Sequence, residues 1–357
     1  MTMVKTTGKL ILAGDVGGTK TLLGLFTLRG GALECLAKAR YENNAFSRLP
    51  PIISRFLEDN KSPSPVDAAC LAIACPIENN AGTLTNPPID TFGACPRGLE
   101  AGGRLGWRIN GNALKKRFKI KKVELINDLV GIGNGIACLT RDDFSVLQAG
   151  KPRRGNAAVI AAGTGLGEAI IFRHGDEALV SASEGGHADF APRTALESEL
   201  LAYLSRAFGH VSYERVTSGQ GLVNIFRFLT ERRGRVSSAH ARMLISKDAP
   251  SLIAEAALRL KGETACKLAV RTFVSILGAE AGNLALKSMA IEGVYLAGGI
   301  APKLIRGVLK KVFIASFRDK GRFKALLSRI PVRVVLNEEA GLLGASRVAA
   351  QMLGKRC

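Results

Sequence analysis

Two glycine-rich segments have the composition of a turn that can hold a phosphate group. The first contains Gly14, Asp15, Val16, Gly17, Gly18 and Thr19, and the second contains Gly163, Thr164, Gly165, Leu166 and Gly167. Glycine lacks a Cβ, so its backbone can approach a phosphate closely and direct N–H groups towards it. Asp15 adds a carboxylate that can hold a metal ion through water, and the two threonines add hydroxyl donors. A plain tight hairpin explains the first segment equally well, so both interpretations stay open at this point.

The second glycine segment is superficially similar to the dinucleotide-binding fingerprint. That fingerprint needs a third glycine where this chain has Glu168, followed by a helix. The apolar run Ala169 to Phe172 instead predicts that a strand continues after the turn. We therefore reject a Rossmann-type site and predict a second phosphate-binding hairpin.

A third segment combines Glu184 and His187 with two glycines in a predicted loop. A carboxylate accepts hydrogen bonds from paired hydroxyls, and an imidazole can donate or accept. These residue types suit a polyhydroxylated ligand. A purely structural loop and a metal site are the alternatives, and no second His or Cys lies at metal-ligand spacing.

Three further positions each allow a functional and a structural interpretation. Asn127 and Asp128 close a short apolar strand, where a carboxylate acts either as a helix N-cap or as a catalytic base. Glu214 precedes Arg215 and is uninformative by itself, because surface Glu–Arg pairs are ordinary. Gly298 and Gly299 follow an apolar strand, so their backbone either covers a flat ring such as adenine or packs on the sheet.

The elements around these motifs predict two related α/β domains. Each glycine turn is flanked by apolar strands, and the two hairpins lie about 145 residues apart, which we interpret as two structurally similar halves. Alternating strands and helices in both halves favour α/β domains. We place a small N-terminal domain at residues 1–137, joined by a C-terminal helix at 340–357, and a large domain at 138–339. Further predicted elements are helices at 49–58, 195–208, 221–230 and 266–287, and strands at 68–74, 123–127 and 293–297.

The chain has 357 residues and a net charge of +20, from 50 basic and 30 acidic side chains. A length near 300 residues or more fits two domains, and 47% apolar residues argue against wholesale disorder. Two basic strips, Arg97 to Lys122 and Lys303 to Arg333, hold 17 of the 20 excess charges. We interpret them chiefly as solvated surface, with attraction of an anionic nucleotide as a hypothesis.

Membrane insertion, secretion and structural zinc find no support in the sequence. The uncharged runs are too short and too rich in glycine to span a bilayer, and no signal peptide is recognisable. The seven cysteines form no CxxC pair, and we expect Cys70, Cys75 and Cys138 to be buried free thiols. These features predict a cytoplasmic protein without disulfides.

Taken in order along the chain, the motifs resemble those of the bacterial glucokinases, which belong to the actin/hexokinase/heat-shock-70 ATPase superfamily. The resemblance extends from about Leu10 to Gly344, and its most specific motif is Glu184 to Pro192. The other matching motifs are Asp-Val-Gly-Gly-Thr at 15–19, Ile-Asn-Asp at 126–128, Ala-Gly-Thr-Gly-Leu-Gly at 162–167, Ser-Gly-Gln-Gly-Leu-Val-Asn at 218–224 and Leu-Ala-Gly-Gly-Ile at 296–300.

This resemblance implies a two-lobed actin-like ATPase fold (ribonuclease H-like) with its active site in the cleft between the lobes. It implies phosphoryl transfer from ATP to the 6-hydroxyl of glucose, with Asp128 as the general base. Asn127, Glu184, His187 and Glu214 would bind the sugar hydroxyls. The hairpins at Gly14 to Thr19 and Gly163 to Gly165 would bind the ATP phosphates, Gly298 and Gly299 would flank the nucleoside, and Asp15 would lie near Mg²⁺.

The chain departs from the family pattern between Pro87 and about Arg104, where roughly 18 extra residues rich in Gly and Pro precede Trp107. Because this insertion begins beside the expected sugar site, a kinase for another hexose or an amino sugar is the alternative function. A non-catalytic nucleic-acid-binding or regulatory protein is a remote alternative that only the basic charge supports. Polyphosphate and ADP stay open as phosphoryl donors, and a homodimer is among the assemblies that the sequence leaves open.

Overall fold

A computed structural model describes residues 8–60, 65–84, 106–232, 237–259 and 264–354. The chain divides into two compact units, the first comprising Met1–Thr140 with Asn337–Cys357 and the second comprising Arg141–Leu336. The sequence analysis predicts boundaries at 137/138 and 339/340. The boundaries between these two units lie about three residues from each of them. The insertion predicted between 87 and 104 lies outside the described residues.

Unit 1 contains a five-stranded sheet of order β3-β2-β1-β4-β7 and a separate pair, β5-β6. Strands β1, β2 and β3 are antiparallel neighbours, whereas β1, β4 and β7 are parallel. The strands are β1 (Lys9–Val16), β2 (Lys20–Arg29), β3 (Ala32–Glu42), β4 (Ala68–Ile73), β5 (Ala81–Leu84), β6 (Trp107–Asn110) and β7 (Lys122–Asn127). The helices before residue 140 are α1 (Leu49–Asp59), α2 (Gly111–Phe118) and α3 (Asp128–Gly135).

Unit 2 contains a six-stranded sheet of order β11-β10-β9-β12-β13-β8. Its strands are β8 (Phe144–Gln148), β9 (Ala157–Ala162), β10 (Leu166–His174), β11 (Glu177–Ser183), β12 (Gly293–Ala297) and β13 (Val332–Val335). Its helices are α4 (Ala195–Phe208), α5 (Glu214–Thr217), α6 (Gly219–Glu231), α7 (Ser238–Ile245), α8 (Ala249–Leu258), α9 (Thr264–Ser288), α10 (Ala301–Leu304), α11 (Gly307–Arg318) and α12 (Lys324–Leu327).

The two sheets share one arrangement of five strands. In unit 2, β9, β10 and β11 form an antiparallel meander, and β12 and β13 continue the sheet in parallel from β9. Strands β1, β2, β3, β4 and β7 of unit 1 have the same order and directions, and unit 2 adds β8 at its edge. The structural similarity of the two halves that the glycine hairpins predicted is therefore present in both sheets.

Helix α13 (Ala340–Met352) follows unit 2 in the chain and packs in unit 1. Strand β1 is buried on both faces, which is why its sequence is a continuous apolar run. Leu10 and Leu12 face the cluster that includes α1, whereas Ile11 and Ala13 face the cluster that includes Leu342 of α13. Because side chains alternate along a strand, Asp15 lies on the α13 side.

Candidate active site

The tight turn of the first glycine hairpin contains fewer residues than the glycine-rich motif that predicts it. Gly14 and Val16 are buried within β1, and a Cβ at Gly14 would lie 2.6 Å from Cδ2 of Leu71. The turn itself consists of Gly17, Gly18 and Thr19, closed by a 2.9 Å hydrogen bond from the Gly17 N–H to the Lys20 carbonyl. Residues 17–19 thus form the turn of the predicted phosphate hairpin at Gly14 to Thr19, and Gly14 packs closely inside the sheet.

Asn43, which the sequence analysis did not select, holds this turn in place. Its buried side chain donates to the Gly17 carbonyl at 2.7 Å and accepts from the Thr21 hydroxyl at 2.7 Å. Its backbone N–H donates to the Thr19 carbonyl at 2.8 Å. Three hydrogen bonds from one residue fix the position of the turn, while Thr19 stays exposed. An Asn beyond a third strand gives no sequence signal of this role.

Asp15 lies at the carboxyl end of β1, directly beneath the first turn of α13. A Cβ at Gly341 would lie 2.7 Å from Oδ2 of Asp15, so glycine is required for the carboxylate to fit. Burial raises the pKa of Asp15 to about 6, and the charge of Arg40 opposes this shift. The carboxyl is therefore largely ionised at neutral pH, and a nearby cation would stabilise that form.

The residues around Asp15 suit a cation that keeps most of its water. Within the described part of the chain, no group of three or more His, Cys, Asp or Glu could hold a metal. Magnesium commonly binds through one or two carboxylates, with water and substrate phosphates as its other ligands. One largely buried carboxylate beside a glycine turn fits that mode of binding.

Asn127 and Asp128 lie where β7 ends and α3 begins. Asn127 is the N-cap of α3, and its Oδ1 accepts from the Leu129 N–H at 2.9 Å. Oδ1 of Asp128 accepts from the same N–H at 2.9 Å, so the Asp128 carboxylate sits in the first turn of the helix. The positive end of the helix dipole favours the ionised carboxylate there. Asn127 is thus the N-cap of α3, and the role of Asp128 as a base stays a prediction.

Two residues that the sequence analysis did not select support this strand end. Asn80 donates to the Val123 carbonyl and accepts from the Leu125 N–H, which fixes β7 from the side. Cys75 accepts a 3.2 Å hydrogen bond from Nδ2 of Asn127 through its carbonyl. Burial, together with the negative charge of Asp128, raises the pKa of the Cys75 thiol to about 11. The thiol therefore stays neutral beside Asp128.

In unit 2 the second glycine turn and the Gly298-Gly299 pair lie at the same edge of the sheet. The Gly163 N–H donates to the Gly165 carbonyl at 2.9 Å, and Thr164 is exposed at the tip. Gly298 has φ +81°, and a Cβ there would lie 2.4 Å from the carbonyl oxygen of Ala162. Both glycine segments follow the carboxyl ends of parallel strands β9 and β12, where open α/β sheets bind ligands.

The three residues of unit 2 that were predicted to bind sugar lie close together. Glu184 and His187 flank a short 3-10 turn, and Nε2 of His187 is 3.9 Å from Oε2 of Glu184. The segment after this turn pairs with the segment before Glu214, through bonds from Phe190 N–H to the Val211 carbonyl and from Tyr213 N–H to the Ala188 carbonyl. The structure therefore joins segments that are more than 20 residues apart in sequence.

Glu214 connects this group to the second glycine turn. Its Oε2 accepts from the Leu166 N–H at 2.9 Å, and a Cβ at Gly165 would lie 2.5 Å from the same oxygen. The side chains of Glu184 and His187 are about 60% exposed, at 64% and 59%, and so are accessible to a ligand. The resulting surface presents acceptors for hydroxyl groups beside backbone that can bind phosphate.

The second basic strip is partly structural. Four of its ten cations are half-buried and bind groups within unit 2, whereas the others are exposed. Lys310 donates to the Val146 carbonyl, Arg318 to Gln148, and Lys320 to Asn283, while Arg333 lies over the Tyr295 ring. Part of the first strip lies outside the described residues.

The structure also bears on membrane-spanning helices and on the burial of the cysteines. Among the described residues, none of the helices is long and apolar enough to cross a bilayer. Cys70 and Cys75 are buried free thiols as predicted, but Cys138 is exposed, which corrects that prediction. Cys138 lies at the end of a 3-10 segment beyond α3, where the apolar sequence is not covered by the core.

Comparison with known proteins identifies the family. The sequence profile of the Glucokinase family matches residues 12–90 and 100–352. A glucokinase from Nostoc sp. is 38% identical over 359 aligned residues, covering 96% of this chain and 99% of the relative. The chain belongs to the glucokinase family. The glucokinase profile is interrupted at residues 91–99, within the segment that we interpret as an insertion.

Solved glucokinase structures share the fold. A glucokinase from an Antarctic psychrotroph superposes with a TM-score of 0.77 at 27% identity, covering 96% of this chain and 99% of that one. A ROK family glucokinase from Streptomyces griseus, in complex with glucose and AMPPNP, superposes with a TM-score of 0.60 at 20% identity, covering 96% and 99%. The chain therefore has the actin-like ATPase fold of these sugar kinases, which confirms the predicted fold class.

Proposed function

We propose that this protein is a glucokinase that transfers the γ-phosphoryl group of ATP to the 6-hydroxyl of glucose, giving glucose 6-phosphate. The observation that carries the proposal is the 38% identity to the Nostoc glucokinase over 96% of the chain. ATP as donor is supported by the related Streptomyces griseus kinase, which was solved with glucose and AMPPNP. The use of ATP favours the cytoplasm as the site of action.

Asp128 acts in this proposal as the general base. It accepts the proton of the 6-hydroxyl as that oxygen attacks the γ-phosphorus, and phosphoryl transfer depends mainly on such alignment and on charge stabilisation. The Leu129 N–H donates to Oδ1 of Asp128 at 2.9 Å and holds this oxygen at the start of α3. Asn127 caps the helix and thereby fixes the direction of the neighbouring base.

Glu184, His187 and Glu214 hold the other sugar hydroxyls. The Glu184 and His187 side chains are both exposed. Glu184 accepts hydrogen bonds from hydroxyl groups, and His187 can donate or accept them. Glu214 uses one oxygen to hold the second glycine turn, which leaves the other for a hydroxyl.

The glycine turns bind the phosphates of ATP. Gly17 and Gly163 use their N–H groups to close the turns, so the backbone N–H groups at 18–19 and 164–165 bind the β- and γ-phosphates, with Thr19 and Thr164 as hydroxyl donors. Gly298 and Gly299 lie against the nucleoside. Asp15 would hold the water ligands of Mg²⁺, and this ion would supply positive charge to the phosphate oxygens.

A coupled ADP-release assay tests this function with purified protein and a panel of glucose, mannose, fructose and N-acetylglucosamine. We expect glucose to have the highest kcat/KM. A higher value for another sugar would assign the protein to the alternative hexose or amino-sugar kinases. Absence of ATP-dependent turnover with every sugar would overturn the proposal.

A further inference from the structure

Two buried glutamates, Glu168 and Glu280, lie outside the motifs described above. The first of them packs against the turn that follows Glu184. Glu168 on β10 is 2% exposed, and Glu280 on α9 is 0% exposed. Each has one oxygen, Oε1, that is buried and has no hydrogen-bond partner. Glu280 has Lys287 and Asn283 as neighbours, but a buried carboxylate oxygen without a hydrogen bond is costly, so the pair requires a physical explanation.

A shared proton satisfies both side chains. Burial, the negative charge of Glu280 and a hydrogen bond with Glu280 raise the pKa of Glu168 to about 8, while the positive charge of Lys287 opposes this shift. Glu168 is therefore a neutral carboxylic acid at pH 7, able to donate to the Glu280 carboxylate. The excess of acceptors then disappears, because one of the two groups has become a donor.

The polar and charged groups that face this pair lie on α9 itself, in the segment before α5 and in the segment after α11. Nζ of Lys287, on α9, is 3.7 Å from Oε1 of Glu280. Nδ2 of Asn283 donates to Oε2 of Glu280 at 2.8 Å and to the Tyr213 hydroxyl at 3.0 Å. Nζ of Lys320, after α11, donates to Oδ1 of Asn283 at 2.6 Å.

These neighbours support one negative charge on the pair. Burial and the negative charge of Glu280 raise the pKa of Tyr213, which keeps its hydroxyl neutral. Burial and the positive charge of Arg193 lower the pKa of Lys320, while Asp319 opposes that shift. Lys287 and the Asn283 amide are thus the groups that stabilise the Glu280 carboxylate directly.

The pair contacts the peptide backbone that carries Glu184. Glu168 pairs with Ser183 across β10 and β11, one residue before Glu184. A Cβ at Gly185 would lie 2.0 Å from Oε2 of Glu168, so the backbone of the turn rests on this carboxyl. The next residue of the turn, Gly186, packs against β10. A Cβ at Gly186 would lie 2.0 Å from the carbonyl oxygen of Leu166.

The same network reaches Glu214 from the other side. Tyr213 immediately precedes Glu214 and is connected to Glu280 through Asn283. Glu168 of the pair therefore contacts Gly185, the residue after Glu184. Glu280 is connected through Asn283 to Tyr213, the residue before Glu214.

We propose that Glu168 and Glu280 form a proton-sharing carboxyl pair that positions Glu184 and Glu214 for sugar binding. This inference rests on the proposed function and extends it to two positioning residues that do not touch the sugar. Loss of the shared proton places two negative charges side by side, and their repulsion displaces the turn at Gly185.

Glucose binding measured by calorimetry without ATP tests the pair as a function of pH. If binding requires the shared proton, the Kd of the wild type rises about tenfold between pH 7 and pH 9, given one proton lost with a pKa near 8. Glu168→Gln keeps a neutral donor at this position, so its Kd is expected to stay constant over the same range. Glu255→Gln, an exposed position on α8, removes one carboxylate elsewhere in unit 2 and should follow the wild type.

A second comparison separates positioning from simple packing. At pH 7, Glu168→Ala is expected to raise the glucose Kd about tenfold or more, whereas Glu168→Gln stays within about twofold because it retains volume and hydrogen bonding. Circular dichroism checks that both variants fold. Equal Kd values for the two variants, or a pH dependence of Glu168→Gln equal to that of the wild type, would overturn the inference.

The two proposals fail in different ways. A wild type that binds glucose with this pH dependence but transfers no phosphoryl group would refute the proposed function and support the pair. A wild type that phosphorylates glucose with an affinity independent of pH would refute the pair and support the function.

Discussion

Replacing Glu168 by glutamine is expected to change how the stability of unit 2 depends on pH. The folded state holds a proton on Glu168 up to about pH 8, whereas the unfolded chain releases it near 4.5. Between these values the folded state binds more protons than the unfolded state, so the free energy of unfolding falls as pH rises. The loss is about 1.4 kcal/mol per pH unit for one proton.

Over the interval from about pH 5 to about pH 7, this gives a loss of roughly 2 to 3 kcal/mol in the wild type. Glutamine carries no titratable proton, so Glu168→Gln is expected to lack this component of the pH dependence. Other titrating groups act equally in both proteins and cancel in the difference. The difference in stability between variant and wild type should therefore change by that amount in favour of the variant.

Hydrogen exchange of peptides from β10 and α9 measures this difference locally, because both elements contain one member of the pair. The fluorescence of Trp107 is unsuitable, because this residue lies in unit 1. Glu255→Gln serves as the control, with the same change of side chain at an exposed position of unit 2. Parallel pH profiles for the wild type and Glu168→Gln would show that Glu168 is already ionised, which would refute the shared proton.

Three other variants test separate parts of the site by steady-state kinetics. Glu184→Gln should raise the glucose KM about tenfold or more, because a charge-assisted hydrogen bond is lost; an unchanged KM would remove Glu184 from the sugar site. Gly341→Ala should lower kcat about tenfold or more, because its Cβ displaces the Asp15 carboxylate; a normal rate would contradict that contact. Asn43→Ala should raise the ATP KM and leave the glucose KM unchanged, whereas equal effects would indicate general unfolding.

The helices and strands with strong apolar patterns could be predicted from the sequence. Helix α4 has the predicted bounds of 195–208, and β12 has the predicted bounds of 293–297. Helix α9 extends two residues before and one residue beyond the predicted range of 266–287. These elements lie in the core, where periodicity of apolar residues and burial agree.

The elements missed were those whose patterns carry little information by themselves. Strand β3 alternates exposed and half-buried residues at a sheet edge, and helix α7 contains no buried residue. The strands β8 and β13 are only five and four residues long. Their existence depends on neighbours distant in sequence, which a local pattern does not show.

For the candidate site, too, residues in local motifs could be predicted, whereas residues that act through distant contacts could not. Asp128, Glu184 and the glycine turns belong to short motifs whose residue types suggest chemistry. Asn43, Gly341 and Glu168 act through contacts with residues that are distant in the chain, so no local motif marks them. Glu168 even occupied the position that served to reject a dinucleotide fingerprint, without any sign of its buried partner.

The central claim is that Asp128 is the base of a phosphoryl transfer from ATP to glucose. The most direct measurement compares the rate of glucose 6-phosphate formation by the wild type and Asp128→Asn, with the glucose Kd measured for both. Asparagine preserves the size of the side chain but does not accept a proton, so turnover should fall about a thousandfold or more with little change in Kd. Undiminished phosphorylation by Asp128→Asn would contradict the assignment.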